Sequence, residues 1–384
     1  MRILLHRIAD YIRECDKLLY ILCFVTTGFG CVAVLSTTYR NSGNSARDFY
    51  MQLFSMLLGT VAVIIISNFN YKSFCRFWPL VATVGIVPVI LTFFIGYAPG
   101  NTDDKAWLLL PGGISFQPAE LLKICFIITF AYHCYHIGDK VKKFPHIMLL
   151  CIHGGLPVIL IHFQGDDGTA LVFAVMFIGM MFAAGVPVRY FIIALSAVAV
   201  AAPFVYLFVM NDDQQARVNA LFFGTETDYL NTLYQQWRGR VGMANGGLFG
   251  TGLFNGPLVQ SNSIPEVWND FIFTGIGEEM GLVGCITVIA LLAAICIRIL
   301  RIGFMANSKL GLVLCAGVFT MIFAQTVINI GMCLWLLPVI GVTLPLFSAG
   351  GTSLLCTYLG FAIVMSVYIH RDSGITYLRD ETVL

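Results

Sequence analysis

The chain is predicted to be an all-α, polytopic integral membrane protein with ten transmembrane helices, and three observations carry that reading. Apolar residues fill 58% of its 384 positions and charged residues only 11%, where a soluble domain carries roughly a quarter. Mean hydropathy is +0.84. Apolar runs of the ~20 residues needed to cross a bilayer recur along the whole length. An ordinary water-soluble enzyme is excluded. The net charge of +1 decides nothing, because in a membrane protein the placement of charge matters more than its sum.

The ten runs cover 18–35, 50–67, 78–97, 118–136, 145–162, 169–184, 190–210, 271–297, 310–332 and 352–369. The fifth is interrupted by Gly154, Gly155 and Pro157, which a span tolerates only where protein or a wet cavity satisfies the freed backbone groups. The first run lacks the small-residue cleavage site of a signal peptide. The twelve cysteines sit mostly inside apolar runs and form no C-x-x-C pair, so they read as small hydrophobes. One membrane domain over 1–384 is expected, with no internal repeat evident.

An even number of spans puts both termini on one side. With that side cytoplasmic, fifteen basic residues from Arg2 to Arg379 fall inside. Six fall outside: Arg40, Arg47, Lys105, Arg217, Arg238 and Arg240. Lys123 lies within a span. The positive-inside rule therefore favours N-in, C-in. The inner segments are short and basic. The outer ones include an extracytoplasmic loop at 211–270, between the seventh and eighth spans, and shorter Gly- and Pro-punctuated loops at 96–117 and 333–351. Long loops without evident regular structure are more often functional than idle, so any chemistry is expected to face outward.

Three clusters hold charge where the membrane makes it costly. In Gln117-Pro118-Ala119-Glu120-Leu121-Leu122-Lys123, proline suits a first helical turn and Glu120 and Lys123 share a face. They form either an internal ion pair or a lysine held ready for phosphate. Asp270 is the last polar residue before a long apolar helix. It serves either as an N-cap or as a carboxylate at a cavity mouth, where desolvation would raise its pKa and suit it to general-base work. Glu278 and Glu279 further on read as structural partners. The third segment, 234–257, is rich in glycine. It is either a flexible loop or a close-fitting ligand loop in which Arg238 and Arg240 could grip a pyrophosphate bidentately. The histidines show no metal-site spacing. No Walker A, dinucleotide or nucleophile-elbow motif occurs, and no basic aromatic patch for nucleic acid.

At these segments the chain resembles the family of RodA, FtsW and SpoVE, known as SEDS proteins. Trp107 to Lys123 is similar to a tryptophan-led loop ending in Gln-Pro-Ser-Glu and a lysine, with Ala119 in place of the serine. Gln164-Gly165-Asp166-Asp167-Gly168-Thr169 resembles Gln-Pro-Asp-Leu-Gly-Thr. The helix from Phe271 through Gly284 matches the one that follows the family's essential aspartate, which falls on Asp270. Asn329-Ile330-Gly331-Met332, Leu337-Pro338, Gly341, Pro345 and Ser348-Ala349-Gly350-Gly351-Thr352-Ser353 resemble the C-terminal signature. Tyr234-Gln235 and Gly246-Gly247-Leu248 also fit. Arg238-Gly239 and Trp335 depart from the pattern.

The resemblance implies a peptidoglycan glycosyltransferase of the bacterial cytoplasmic membrane that polymerises lipid II and releases undecaprenyl pyrophosphate. Asp270 would be catalytic. Lys123, Glu120, Arg217, Gln235, Arg240, Asp166 and Ser348 would bind substrate and diphosphate. A divalent ion, Mg or Mn, is implied without assignable ligands. The implied partners are a class B penicillin-binding protein and other elongasome or divisome membrane proteins. The short N-terminal arm and compact tail lean towards a RodA-like member. A lipid II carrier and an inactive scaffold are the rival classes. A carrier should show midplane binding residues and repeats, whereas here the polar residues gather at one face.

Overall fold

A computed structural model describes residues 11, 13–40, 45–98, 105–110, 114–224 and 233–371. Arg2, Arg7 and Arg379 of the charge count, and parts of the 96–117 and 211–270 loops, lie outside these residues, as does the tail beyond 371. Among the described residues the chain is predominantly helical, with one short β-hairpin. In order come α1 (Lys17–Thr38), α2 (Ser45–Ser67), short α3 (Tyr71–Arg76), α4 (Trp78–Ile95), the hairpin β1 (Leu108–Leu110) and β2 (Ile114–Phe116), then α5 (Pro118–Ile137). They continue as α6 (Phe144–Phe163), α7 (Asp167–Ala183), α8 (Val188–Phe208), α9 (Asp212–Phe223), α10 (Tyr234–Gly246), α11 (Pro257–Gln260), α12 (Ile272–Met305), α13 (Lys309–Cys333) and α14 (Gly351–Ile369).

Among the described residues nine helices are long and apolar enough to cross a membrane. The remaining expected span, α7, has 17 residues and is a shorter apolar helix, about 26 Å long at 1.5 Å per residue. α13 is the central element, packed on α12, α7, α5 and α14, while α14 lies along α2. α8 buries none of its residues. Its leucines and valines are exposed, as suits a helix bathed in lipid, while Phe191 near its start packs against the core.

Two expectations about local structure are corrected. The fifth run is one continuous helix, α6, despite its glycines and Pro157. Gly154 is there for packing, since a Cβ would stand 2.1 Å from the ring of Phe177 on α7. The eighth run, by contrast, is broken. Gly281 adopts φ 67° and ψ −162° within α12. The glycine-rich segment after α10 plugs the break. Leu282 N and Val283 N donate to the carbonyls of Gly247 and Leu248, and Thr251 N and Gly252 N donate to those of Glu278 and Glu279. Every freed backbone group at this depth needs such a partner. The left-handed glycine is required, because a Cβ at Gly281 would meet Gly250 N at 2.4 Å.

The loops expected to lie outside are more regular than their composition suggests. Between α4 and α5, Leu108 pairs with Phe116 in an antiparallel hairpin, and Tyr97 bridges to Trp107. The 211–270 loop carries three helices, α9 to α11. α9 opens on a capping box, with Asn211 and Gln214 bonding each other's backbone.

Candidate functional site

The site is built where the turn before α12 meets the loop after α13. Asp270 sits two residues ahead of Ile272 and does not cap the helix; the cap residue is Phe271, with no side-chain cap bond. The backbone around it is clamped from α13 and its following loop. Asn329 Nδ2 donates to the Asp270 carbonyl at 2.8 Å and to the Val342 carbonyl at 2.7 Å. Ser348 Oγ donates to the Asn269 carbonyl at 2.6 Å and accepts from Leu344 N at 2.8 Å. Ala349 N donates to the Trp268 carbonyl at 2.8 Å. Three successive residues, Trp268 to Asp270, are thus held by α13 and the loop that follows it. Gly341, at φ 63°, completes the wall: a Cβ there would stand 3.7 Å from Asp270 Oδ2.

The Asp270 carboxylate accepts no hydrogen bond among the described residues. Protein crowds around it while a partial opening to solvent remains. Burial, with the negative charges of Glu266 and Asp166 added, pushes its pKa up to about 7. Burial also raises Glu266, offset in part by a bond with Asn269.

Asp166 reaches this neighbourhood from α7. It caps the helix by accepting from Thr169 N at 2.8 Å, and its other oxygen accepts from Gln117 Nε2 at 2.8 Å. The α7 start is pressed against the same C-terminal loop, since a Cβ on Gly168 would meet the Ile340 carbonyl at 2.0 Å. Glu120 and Lys123 form the ion pair that their spacing predicts, at 2.8 Å, with the lysine 1% exposed. Arg217, exposed on α9, donates to the Val339 carbonyl at 3.1 Å and so ties α9 to the C-terminal loop. Gln235 is half-buried on α10. Arg240 lies over the Trp335 ring in a cleft on the outer face of α10. Arg238 donates to the Ser263 carbonyl at 3.3 Å and so braces the loop ahead of Asp270.

Glu278 and Glu279 are structural partners, as expected. Glu278 is fully buried and accepts from Leu258 N at 3.1 Å and Val259 N at 2.7 Å, seating α11. Glu279 accepts from Ser36 Oγ and from Gln260 Nε2 at 2.8 Å, joining α1 to α11. Two amides were given no role by the sequence. Gln236 donates to the Met332 and Leu337 carbonyls at 2.9 and 2.8 Å, fastening α10 to the end of α13. Asn329 was legible only as part of a motif. A signal was present, because a buried amide must find partners for its polar groups.

Among the described residues no three His, Cys, Asp or Glu side chains gather as metal ligands. Asp270 feels the charges of Glu266 and Asp166. Among the described residues these three do not form a preformed three-ligand cation site. The arrangement supplies a crowded carboxylate poised near neutrality, rigidly backed and open on one side. Such a group takes a proton from a hydroxyl at neutral pH.

Residues 16–373 match the FtsW/RodA/SpoVE family, described as cell cycle proteins. A probable peptidoglycan glycosyltransferase FtsW from Geobacter metallireducens is 32% identical over 365 residues, 93% of this chain and 95% of that protein. The peptidoglycan glycosyltransferase MrdB of Escherichia coli K12 is 29% identical over 357 residues, 93% and 94% of the two chains. Among solved structures, a chain from a peptidoglycan synthase complex that coordinates polymerization and crosslinking superposes with a TM-score of 0.78, at 24% identity, covering 94% of this chain and 99% of that one. The rod shape determining protein RodA of Thermus thermophilus gives 0.68 at 22% identity, covering 93% and 98%. With the match running from the first span to beyond the last, and with the order of helices and loops shared, this chain belongs to the FtsW/RodA/SpoVE family of polytopic membrane proteins.

Proposed function

We propose that this chain is a peptidoglycan glycosyltransferase that polymerises lipid II at the outer face of the bacterial cytoplasmic membrane. The relatives named above as peptidoglycan glycosyltransferases support the reaction class. The observation that carries the reading is the Asp270 carboxylate, unbonded among the described residues and with its pKa at about 7. Asp270 removes the proton from the acceptor's GlcNAc 4-hydroxyl. The freed oxygen attacks the anomeric carbon of the donor MurNAc as the bond to diphosphate breaks, and undecaprenyl pyrophosphate departs with the bonding electrons. One base and a stabilised leaving group suffice for inversion, with no covalent intermediate.

The leaving group gains negative charge, so nearby cations lower the barrier. Lys123, positioned by Glu120, and Arg217 are the proposed cations, with Gln235, Asp166 and Ser348 shaping the surrounding walls. A divalent ion, Mg or Mn, bound with the diphosphate would supply further neutralisation. Both termini are proposed to be cytoplasmic, which puts Asp270 and the helices α9 to α11 outside, beside the substrate's sugars. A class B penicillin-binding protein is the proposed partner, together with other elongasome or divisome membrane proteins. Its support is the fold shared with the peptidoglycan synthase complex.

The test is purified protein with lipid II. Wild type should form glycan and the folded Asp270→Asn variant should not. A carrier or a scaffold would form none in either case.

A further inference from the structure

Helix α10 has two faces with different work. Gln236, Gly239, Gly242 and Gly246 are buried, and this side packs on α12. The approach is close: a Cβ on Gly239 would stand 3.0 Å from Thr274, and one on Gly246 would stand 2.0 Å from the Gly277 carbonyl. Trp237, Arg240, Val241 and Ala244 recur at helical spacing on the other side. With Leu221 and Trp335 they line an open cleft of about 760 Å³. Asp270 is not among its walls.

A second observation points to the same place. α13 ends in a Schellman turn: Trp335 N donates to the Met332 carbonyl and Leu336 N to the Gly331 carbonyl. The left-handed position of that turn is usually glycine. Here it is Trp335, at φ 64°. A bulky residue kept in that conformation is a strained choice, and such choices cluster at binding sites. Trp335 lies under the Arg240 guanidinium at 5.1 Å. Arg240 itself is exposed, and among the described residues it has no hydrogen bond or ion pair.

We propose that this cleft binds the lipid-free part of the glycan strand, separately from the reacting centre. The Trp237 ring carries negative charge density on its face and stacks on the C–H face of a pyranose ring, while Trp335 lies under the Arg240 guanidinium and holds it in place. Arg240, backed by its tryptophan, pairs with a carboxylate of the attached stem peptide. The sugar's identity rests on the glycosyltransferase reading; the cleft's taste for a carboxylate-bearing saccharide does not.

The experiment is calorimetric titration of the full-length protein in detergent with a lipid-free tetrasaccharide, with and without its stem peptides. Wild type and Asp270→Asn should bind the peptide-bearing form alike. Trp335→Gly suits the left-handed turn and should fold with an undiminished thermal midpoint, yet bind roughly tenfold more weakly, ~1.4 kcal/mol. Trp237→Ala should weaken binding similarly, and Arg240→Gln should erase the preference for the peptide-bearing form. Undiminished affinity in both tryptophan variants would overturn the proposal. So would displacement of the saccharide by a polyprenyl phosphate, or absent binding in a wild type that polymerises lipid II. Saccharide binding without any polymerisation would leave the cleft standing and remove the glycosyltransferase reading instead.

Discussion

Asn329 on α13 donates a 2.8 Å hydrogen bond to the backbone carbonyl of Asp270, 59 residues away in sequence. The same amide nitrogen also holds Val342 in the loop that carries Gly341. One side chain therefore sets the distance between the proposed base and the wall facing it. Asn329→Ala leaves two carbonyls without this donor, at ~1–3 kcal/mol for each one left buried and unpaired. The expected result is a lowered thermal midpoint and a fall in kcat larger than any change in KM. Unchanged lipid II turnover in a folded Asn329→Ala protein would show that this clamp does not position the base.

Polymerisation should depend on pH through Asp270. The base must be ionised to accept a proton, so kcat/KM should rise with pH and reach half its plateau near pH 7, where the pKa lies. The limb should be missing from whatever residual activity Asp270→Asn retains.

Stability should run the opposite way. The folded-state pKa of about 7 lies above the ordinary 3.8, so the favourable contribution of the protonated group is complete below pH ~4 and is lost as pH rises towards 7. Asp270→Asn should therefore match wild type in acid and exceed it in thermal midpoint above pH 7. A variant less stable than wild type at pH 8 would contradict the crowding inferred around this carboxylate.

The Glu120–Lys123 pair offers a double-variant test. Removing one partner of a buried pair strands the other charge, at ~3–5 kcal/mol, so Lys123→Met alone should be poorly folded. Glu120→Leu with Lys123→Met should recover the thermal midpoint. Glycan synthesis by that double variant would mark the pair as purely structural. A stable but inactive double variant is the expected outcome if Lys123 also faces the diphosphate.

Gly246→Ala should separate α10 from α12. Its Cβ would meet the Gly277 carbonyl at 2.0 Å and that of Glu278 at 2.8 Å, both backbone atoms that cannot swing aside. Overpacking of this kind costs ~1–3 kcal/mol. Protease cleavage within 247–256 should accelerate in the variant, because α10 leads directly into that segment.

The all-helical membrane architecture was readable from the sequence because it depends on local quantities: length of apolar run, charge density and the turn residues between runs. The position of Asp270 at the head of α12 was readable for the same reason, as were the pairing of Glu120 with Lys123 and the structural part of Glu278 and Glu279. The tertiary structure decided what depends on distant partners. Gly281 breaks α12 only because residues 247–252 supply its missing backbone bonds. The 211–270 segment forms helices because its glycines let α10 lie against α12 and its short α11 is seated by Glu278. Asp270 is pushed towards neutrality by burial among elements distant in the chain, with the charges of Glu266 and then Asp166 adding to it. A hydropathy pattern records which residues leave water. It does not record which of them meet, and that meeting sets the charge state of the carboxylate and the shape of the cleft beyond α10.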